Sequence, residues 1–157
     1  MRPVTIDTNL LLLLLVGSVS KKYIAMHKRL SEYNIADYDT LVEIVSGFSE
    51  IVVVAHTLAE TSNLIRNIAN PAKAAILEKM RLFINATREI SVSSASAVGR
   101  QDFIALGLTD AVLLELIAAE GNKMANPTLL THDRDLVIAA EMQGYQVIDF
   151  EHHRSSD

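Results

Sequence analysis

Val4-Thr5-Ile6-Asp7-Thr8-Asn9 is a short stretch that runs from apolar residues into an acid, and the leucine-rich residues 10–16 follow it at once. Its start predicts a β-strand over Val4–Ile6, and the leucine run predicts a helix that begins just after Asp7. Residues 51–55 form a second apolar run, rich in valine, as expected for a strand buried on both faces. A short strand that passes directly into a helix is typical of an α/β fold.

Short apolar runs and longer helical patterns alternate along the rest of the chain. Strands are predicted over Val4–Ile6 and residues 51–55, 89–93, 127–131 and 146–150. Helices are predicted over the leucine run and residues 21–30, 38–48, 56–69, 72–87, 94–106, 108–119 and 134–143. Gly121 is predicted to stop the helix over residues 108–119. This alternation predicts a parallel sheet with helices on both faces, in which ligands bind outside the carboxyl ends of the strands.

The composition excludes several classes of protein and of metal site. The chain has 157 residues, half of them hydrophobic, which fits one domain with a substantial core. It has no cysteine, which excludes disulfides and thiolate metal sites. The leucine run is far shorter than the roughly 20 residues that span a bilayer, so we expect a cytoplasmic protein without a membrane partner. The net charge of −5 argues mildly against a nucleic-acid ligand, although metal-binding acids would lower it and a bound cation would restore positive potential locally.

Four acids are predicted to meet at one rim of the sheet. Asp7 and Asp133 directly follow predicted strands, Glu60 lies in the first turn of the helix after the second strand, and Asp110 opens a later helix. Convergent carboxylates repel one another, and a divalent cation removes that conflict. Oxygen ligands without cysteine select a hard ion, so we expect one or two Mg²⁺ or Mn²⁺ ions. Such ions activate water for attack on a phosphodiester.

Each acid also has a purely structural interpretation. Thr57-Leu58-Ala59-Glu60 has the pattern of a capping box, in which Glu60 would only close the start of its own helix. Asp110 could be a first-turn acid that the helix dipole stabilises, with Thr109 as the cap. Asp7 and Asp133 could cap the helices that follow them. The coincidence of all four at one rim favours a metal site.

The chain resembles the PIN-domain family over residues 3–150. The resemblance rests on the opening acid motif, on the isolated glutamate after the second strand, and on two later stretches, Gly107-Leu108-Thr109-Asp110-Ala111 and Leu130-Thr131-His132-Asp133-Arg134-Asp135-Leu136. It implies a single PIN-like domain over residues 1–150, followed by a polar tail of residues 151–157 that we expect to be frayed. The implied fold is a three-layer α/β/α sandwich with a five-stranded parallel sheet in the order 3-2-1-4-5.

The resemblance also implies an activity, which is metal-dependent cleavage of RNA. It assigns the metal and the catalysis to Asp7, Glu60, Asp110 and Asp133. Asn9 and Thr131 would orient these ligands through hydrogen bonds, and Asp135 is a candidate fifth acid whose alternative is a solvated helix start or a partner of Arg134.

The resemblance implies partners as well. Many small bacterial members of the family are toxins with an antitoxin encoded beside them, so an antitoxin partner and a homodimer are further expectations. Asp7 and Glu60 are farther apart here than in the compact toxin-type members, because residues 19–49 form an additional stretch. That departure weighs against the toxin assignment and leaves the nuclease assignment intact.

Basic residues offer a route for RNA despite the negative net charge. They cluster in one place, at Lys21, Lys22, His27, Lys28 and Arg29, which would be either an RNA-guiding surface or a solvated helix face. The sequence lacks the second aspartate of aspartyl phosphatases, the late lysine of phospho-receivers and the glycine-rich turn of dinucleotide-binding folds. The remaining alternative is a PIN-like module that binds RNA or a protein without cutting.

Overall fold

The computed structural model describes residues 2–118 and 126–154 and has an α/β fold. Five short strands occur in this part of the chain: β1 (Val4–Ile6), β2 (Val52–Val53), β3 (Arg88–Glu89), β4 (Thr128–Thr131) and β5 (Val147–Asp149). The α-helices are α1 (Thr8–Val19), α2 (Ile35–Ser46), α3 (Ala55–Ile65), α4 (Ala72–Ala86), α5 (Ser94–Val98), α6 (Phe103–Leu106), α7 (Leu108–Ala118) and α8 (Arg134–Met142). Shorter 3-10 turns cover Lys21–Met26, Lys28–Leu30 and Phe150–His153.

All strand pairs are parallel, as the alternation of strands and helices predicted. β1, β4 and β5 form a three-stranded sheet with β4 in the centre, and β2 pairs with β3 in a separate two-stranded sheet. A parallel bridge between Val4 and Ile51 joins the two sheets, and the amide of Val4 donates to the carbonyl of Glu50 at 2.9 Å. Among the described residues, the hydrogen-bonded sheets are therefore smaller than the predicted one.

Two hydrophobic cores lie on opposite sides of the strands. Val53 and Leu130 belong to one core, whereas their chain neighbours Val52 and Leu129 belong to the other, because successive side chains of a strand point to opposite faces. The first core contains most of the leucine run of α1, which is buried nearly all round. The second core contains the buried residues of α7 and the inner face of α8. The strands are thus covered by helices on both faces.

The predicted helix over residues 21–30 is wrong. Two 3-10 turns replace it, and the chain between them is extended at His27 (φ −99°, ψ 121°). The His27 ring is buried, with Nε2 2.7 Å from the carbonyl oxygen of Leu64 and Nδ1 accepting from the amide of Arg29. These hydrogen bonds hold His27 against α3, so the backbone cannot continue as a regular helix there.

Other predicted boundaries shift for local reasons. α2 begins three residues earlier than predicted because Asn34 and Asp37 form a capping box. The predicted helix over residues 94–106 is two short helices, the first of which ends at Gly99. α3 ends four residues early, and β3 spans two residues instead of five. The predicted stop at Gly121 lies outside the described residues.

The expectation of a frayed tail is wrong for residues 151–154. Arg154 donates from two nitrogens to the carboxylate of Asp37, which is buried, and from a third to Glu151. Residues 155–157 lie outside the described part of the chain. No helix within the described ranges is both long enough and apolar enough to cross a membrane.

Candidate metal centre

The candidate centre lies where β1 and β4 end side by side. Ile6 pairs with Leu130 in the parallel register, and the amide of Asp7 donates to the carbonyl of Leu130 at 3.0 Å. Asp7 and Thr131 therefore leave the sheet as neighbours, and Asp133 follows two residues later. This is the carboxyl end of the three-stranded sheet, where the fold was expected to bind ligands.

Asp7 is a buried acid that keeps two strong hydrogen bonds. Its Oδ1 accepts from the amide of Thr8 at 2.7 Å, which caps α1, and its Oδ2 accepts from the Thr131 hydroxyl at 2.7 Å. Burial nevertheless raises the pKa of Asp7, and the negative charges of Asp133 and Glu60 raise it further. The site therefore favours either a proton or a cation on this carboxyl group.

Asp133 combines a capping role with a place in the cluster. Its Oδ1 accepts from the amides of Asp135 and Leu136, at 2.9 and 3.2 Å, and so caps α8. Its own amide donates to the Thr131 hydroxyl at 3.0 Å. One hydroxyl group thus joins Asp7 to the start of α8, which is the orienting contact expected of Thr131. Capping occupies Oδ1 and leaves the second carboxylate oxygen available.

Asp110 carries the clearest electrostatic signature of the site. It lies half-buried in the first turn of α7. Burial, followed by the negative charges of Asp7, Asp133, Glu60 and Asp135, raises its pKa from 3.8 to about 7. Strongly perturbed acids of this kind cluster at functional sites, because ordinary surface acids do not crowd in this way.

Three acids come close enough to bind the same ion. Asp7, Asp110 and Asp133 each offer one oxygen, and these oxygens lie within 4.8 Å of one another. Oxygens on opposite sides of one Mg²⁺ are about 4 Å apart, so small side-chain adjustments would let all three ligate it. The donor set, made only of carboxylate oxygens, fits a hard divalent cation.

Glu60 is exposed and lies beside this triad. Its Oε2 accepts from the Thr8 hydroxyl at 3.1 Å, and its Oε1 accepts from the Thr109 hydroxyl at 2.6 Å. These contacts tie α3 to the starts of α1 and α7. The capping-box interpretation is wrong, because α3 begins at Ala55 and the buried Thr57 hydroxyl has no hydrogen-bond partner among the described residues.

The two threonines that hold Glu60 were missed by the sequence analysis as parts of the site. Thr8 directly follows Asp7, and Thr109 directly precedes Asp110. Their position beside two of the candidate ligands was the available signal. Thr109 had been considered only as a helix cap.

Other predicted residues lie near the centre without joining it. Asn9 Oδ1 accepts from Nε of Arg29 at 3.2 Å, and Asn9 forms no hydrogen bond with the acids among the described residues. Asp135 is exposed, and Arg134 pairs with Asp149 instead.

The ring of His132, next to Asp133, contacts other side chains through both of its nitrogens. Its Nδ1 lies 2.7 Å from the hydroxyl of Tyr33, and its Nε2 contacts Glu151. Its ring also packs edge-on against Phe150. Both ring nitrogens therefore have protein partners.

The predicted basic cluster divides into residues of different kinds. Lys21 pairs with Asp39 at 2.8 Å, and His27 is buried. Lys22, Lys28 and Arg29 are exposed. Of these exposed cations, Arg29 is linked to the first turn of α1 through Asn9, and Lys28 directly precedes it.

No protein-family model and no curated protein matches the chain. The resemblance to PIN domains accordingly rests on the motifs quoted above. The function has to be argued from the geometry of the acids and of the residues around them.

Proposed function

We propose that the protein is a PIN-like, metal-dependent ribonuclease. The observation that carries this proposal is the meeting of Asp7, Asp110 and Asp133 at the carboxyl end of the sheet, with their oxygens within 4.8 Å of one another. Such crowding costs free energy unless a cation or a proton neutralises it, as the raised pKa of Asp110 reflects. A protein that keeps so costly an arrangement is expected to use it.

The chain's own residues would bind and orient the ion. Asp7, Asp110 and Asp133 would hold Mg²⁺ or Mn²⁺, and Thr131 would keep Asp7 and Asp133 in register. Glu60, fixed by its two threonine hydroxyls, is placed to act as a fourth ligand or to hold a second ion. When bound, such an ion polarises a phosphodiester and activates water.

The fold proposal goes one step beyond the hydrogen-bonded sheets. We propose that they act as one five-stranded sheet in the order 3-2-1-4-5, within a three-layer α/β/α domain. The Val4–Ile51 bridge supports this order, because Ile51 directly precedes β2 and pairs with Val4 of β1. The helices packed on both faces of the strands support the three layers.

RNA as the substrate follows from the resemblance, and so do the expected partners. A phosphodiester is a suitable target for a carboxylate-bound hard ion. The antitoxin partner, the homodimer and the cytoplasmic location remain proposals of the same origin.

Cleavage of RNA by the purified protein tests the proposal. We expect single-stranded RNA to be cut with Mg²⁺ or Mn²⁺ and to stay intact with a chelator. Asp7→Asn should abolish cutting, and Glu60→Gln should weaken it strongly. Glu141→Gln is the matched control, because Glu141 is exposed on α8 and lines no part of the site.

Two measurements distinguish a failure of metal binding from a failure of RNA cleavage. If Mn²⁺ raises the melting temperature of the parent but not of Asp7→Asn, the acids bind the ion. If such a protein still leaves varied RNAs intact, the nuclease proposal is refuted. The non-catalytic binding module then replaces it.

A further inference from the structure

A short basic loop, residues 27–30, is fixed beside the candidate metal centre. His27 is 1% exposed, and its Nε2 lies 2.7 Å from the carbonyl oxygen of Leu64 near the end of α3. Its Nδ1 accepts from the amide of Arg29, which constrains the next turn. The loop is therefore held in one position and presents its exposed side chains from a fixed base.

Two contacts bring the loop close to the acids. Nε of Arg29 donates to Oδ1 of Asn9, and Asn9 lies two residues after Asp7 in the first turn of α1. Leu64 lies one helical turn beyond Glu60 in α3, which is about 6 Å along the axis. The loop and the acids are thus linked through the same two helices, α1 and α3.

A cavity opens between the loop and the end of α3. It has a volume of about 410 Å³ and is lined by His27, Lys28, Arg29, Leu64 and Asn67. Its wall combines two cations, an amide and an apolar side chain. This is the size and the mixture of groups that a small polar ligand with one flat apolar part requires.

The cations of this cavity are not neutralised by acids. Neither Lys28 nor Arg29 forms an ion pair within the described parts of the chain, whereas Lys21 is paired with Asp39. Arg29 uses Nε for Asn9, and its two terminal nitrogens make no other hydrogen bond with described residues. A guanidinium oriented in this way presents two donors to a phosphate.

We propose that this cavity binds a nucleotide of the RNA strand adjacent to the phosphodiester at the metal centre. Lys28 and Arg29 would bind its phosphate, while Leu64 and Asn67 would contact its base. This inference rests on the proposed function, since it extends the substrate path away from the acids. It also assigns Asn9 a role, which is to orient Arg29 toward the substrate.

Binding of single-stranded RNA tests the cavity separately from catalysis. We would measure anisotropy of a labelled RNA of mixed sequence in a chelator, where no metal-dependent cutting occurs, over roughly 50 to 200 mM salt. The double variant Lys28→Ala/Arg29→Ala should raise Kd about tenfold, which is about 1.4 kcal/mol. It should also make the slope of log association constant against log salt concentration shallower by about 1.4, because each of the two lost phosphate contacts removes about 0.7.

The control carries the same change of charge at a distance from the site. Lys79→Ala/Arg81→Ala removes one lysine and one arginine from the exposed face of α4, and neither residue lines the cavity. It should bind RNA like the parent protein. Asn9→Ala should produce part of the loss seen in the loop variant, because Arg29 would lose its orienting partner.

The outcomes distinguish this inference from the nuclease proposal. Equal affinity and equal salt slope in the two double variants would overturn the cavity proposal, and so would a parent protein that binds no RNA. A parent that binds RNA through the loop but cuts none would support the cavity and refute the nuclease. The rise of melting temperature with Mn²⁺ should be the same in the loop variant as in the parent, because the acids are untouched.

Discussion

Asp110→Asn should make the metal-free protein more stable above pH 7, although it removes a group from the candidate centre. Burial and the neighbouring carboxylates raise the pKa of Asp110 to about 7. In the native protein at pH 8 this group is therefore ionised at a cost that the unfolded chain does not bear. Asparagine keeps the shape and the hydrogen-bonding capacity of the side chain and removes the charge.

The magnitude of the stabilisation follows from the same shift in the pKa of Asp110. A change of pKa from 3.8 to about 7 corresponds to about 4 kcal/mol, at about 1.4 kcal/mol for each tenfold change in acidity. Asp110 is only half-buried, so solvent screening reduces the expected gain to about 1–2 kcal/mol. For a chain of this length, that gain raises the melting temperature by about 2 to 8 °C.

The stability gained by Asp110→Asn depends on pH. The pKa of Asp110 is higher in the folded state, so the native protein binds a proton more tightly than the unfolded chain. The free-energy cost of ionised Asp110 in the folded parent protein is fully present above about pH 7 and disappears as the pH falls toward 3.8. The advantage of Asp110→Asn should shrink over the same window.

Urea unfolding at pH 8 and pH 5, with a chelator and with Mn²⁺, is the assay. Asp135→Asn is the control, because it removes a negative charge from the same neighbourhood at an exposed position. It should change the free energy of unfolding by no more than about 0.5 kcal/mol. Mn²⁺ at about 100 times its Kd should stabilise the parent by about 2.7 kcal/mol and the Asp110→Asn variant by much less. Destabilisation by Asp110→Asn at pH 8 without metal would refute the reasoning.

Three further substitutions test the framework of the site. Arg154→Ala should lower the free energy of unfolding by about 2–4 kcal/mol in urea, because it leaves the buried carboxylate of Asp37 without its cation. Thr131→Val should weaken Mn²⁺ binding about 10- to 100-fold in a calorimetric titration, because it removes the hydroxyl between two ligands. Gly17→Ala should cost about 1–3 kcal/mol in thermal unfolding, because the added methyl group would overlap the ring of Tyr38.

Each of these has a control of the same chemical type. Lys21→Ala removes an exposed ion pair and should cost at most about 1 kcal/mol. Thr128→Val changes a buried threonine of the same strand whose hydroxyl has no part in the cluster, so Mn²⁺ affinity should be unchanged. Gly47→Ala places its methyl group 3.4 Å from the nearest atom and should be tolerated. If a control variant changed stability or Mn²⁺ affinity as much as its test variant does, the corresponding explanation would be wrong.

The elements that sequence could predict are those whose signals are local. The strand Val4–Ile6 and the helix after it follow from an apolar run and from an acid at the right position. The break at His27 could not be predicted, because it depends on a carbonyl oxygen 37 residues away. The early start of α2 was accessible, since Asn34 and Asp37 have capping-box spacing.

The same distinction applies to the acids. Asp7 and Asp133 do cap helices, as their structural interpretation required, and both also reach the cluster. Sequence cannot separate the two roles, because capping and metal binding need the same residue type at the same point of the chain. The capping-box alternative for Glu60 was wrong because α3 begins at Ala55, so Thr57 lies inside the helix rather than at its cap.

The negative net charge is compatible with an RNA substrate once the charges are located. Three carboxylates crowd beyond the ends of β1 and β4 with Glu60 beside them, and they repel phosphate until a cation neutralises part of their charge. Arg29 contacts Asn9 near the acids, and neither Lys28 nor Arg29 forms an ion pair among the described residues, so they can attract the strand without metal. Initial binding and cleavage would thus depend on different groups. The loop would hold the strand, and the acids would act only after an ion binds.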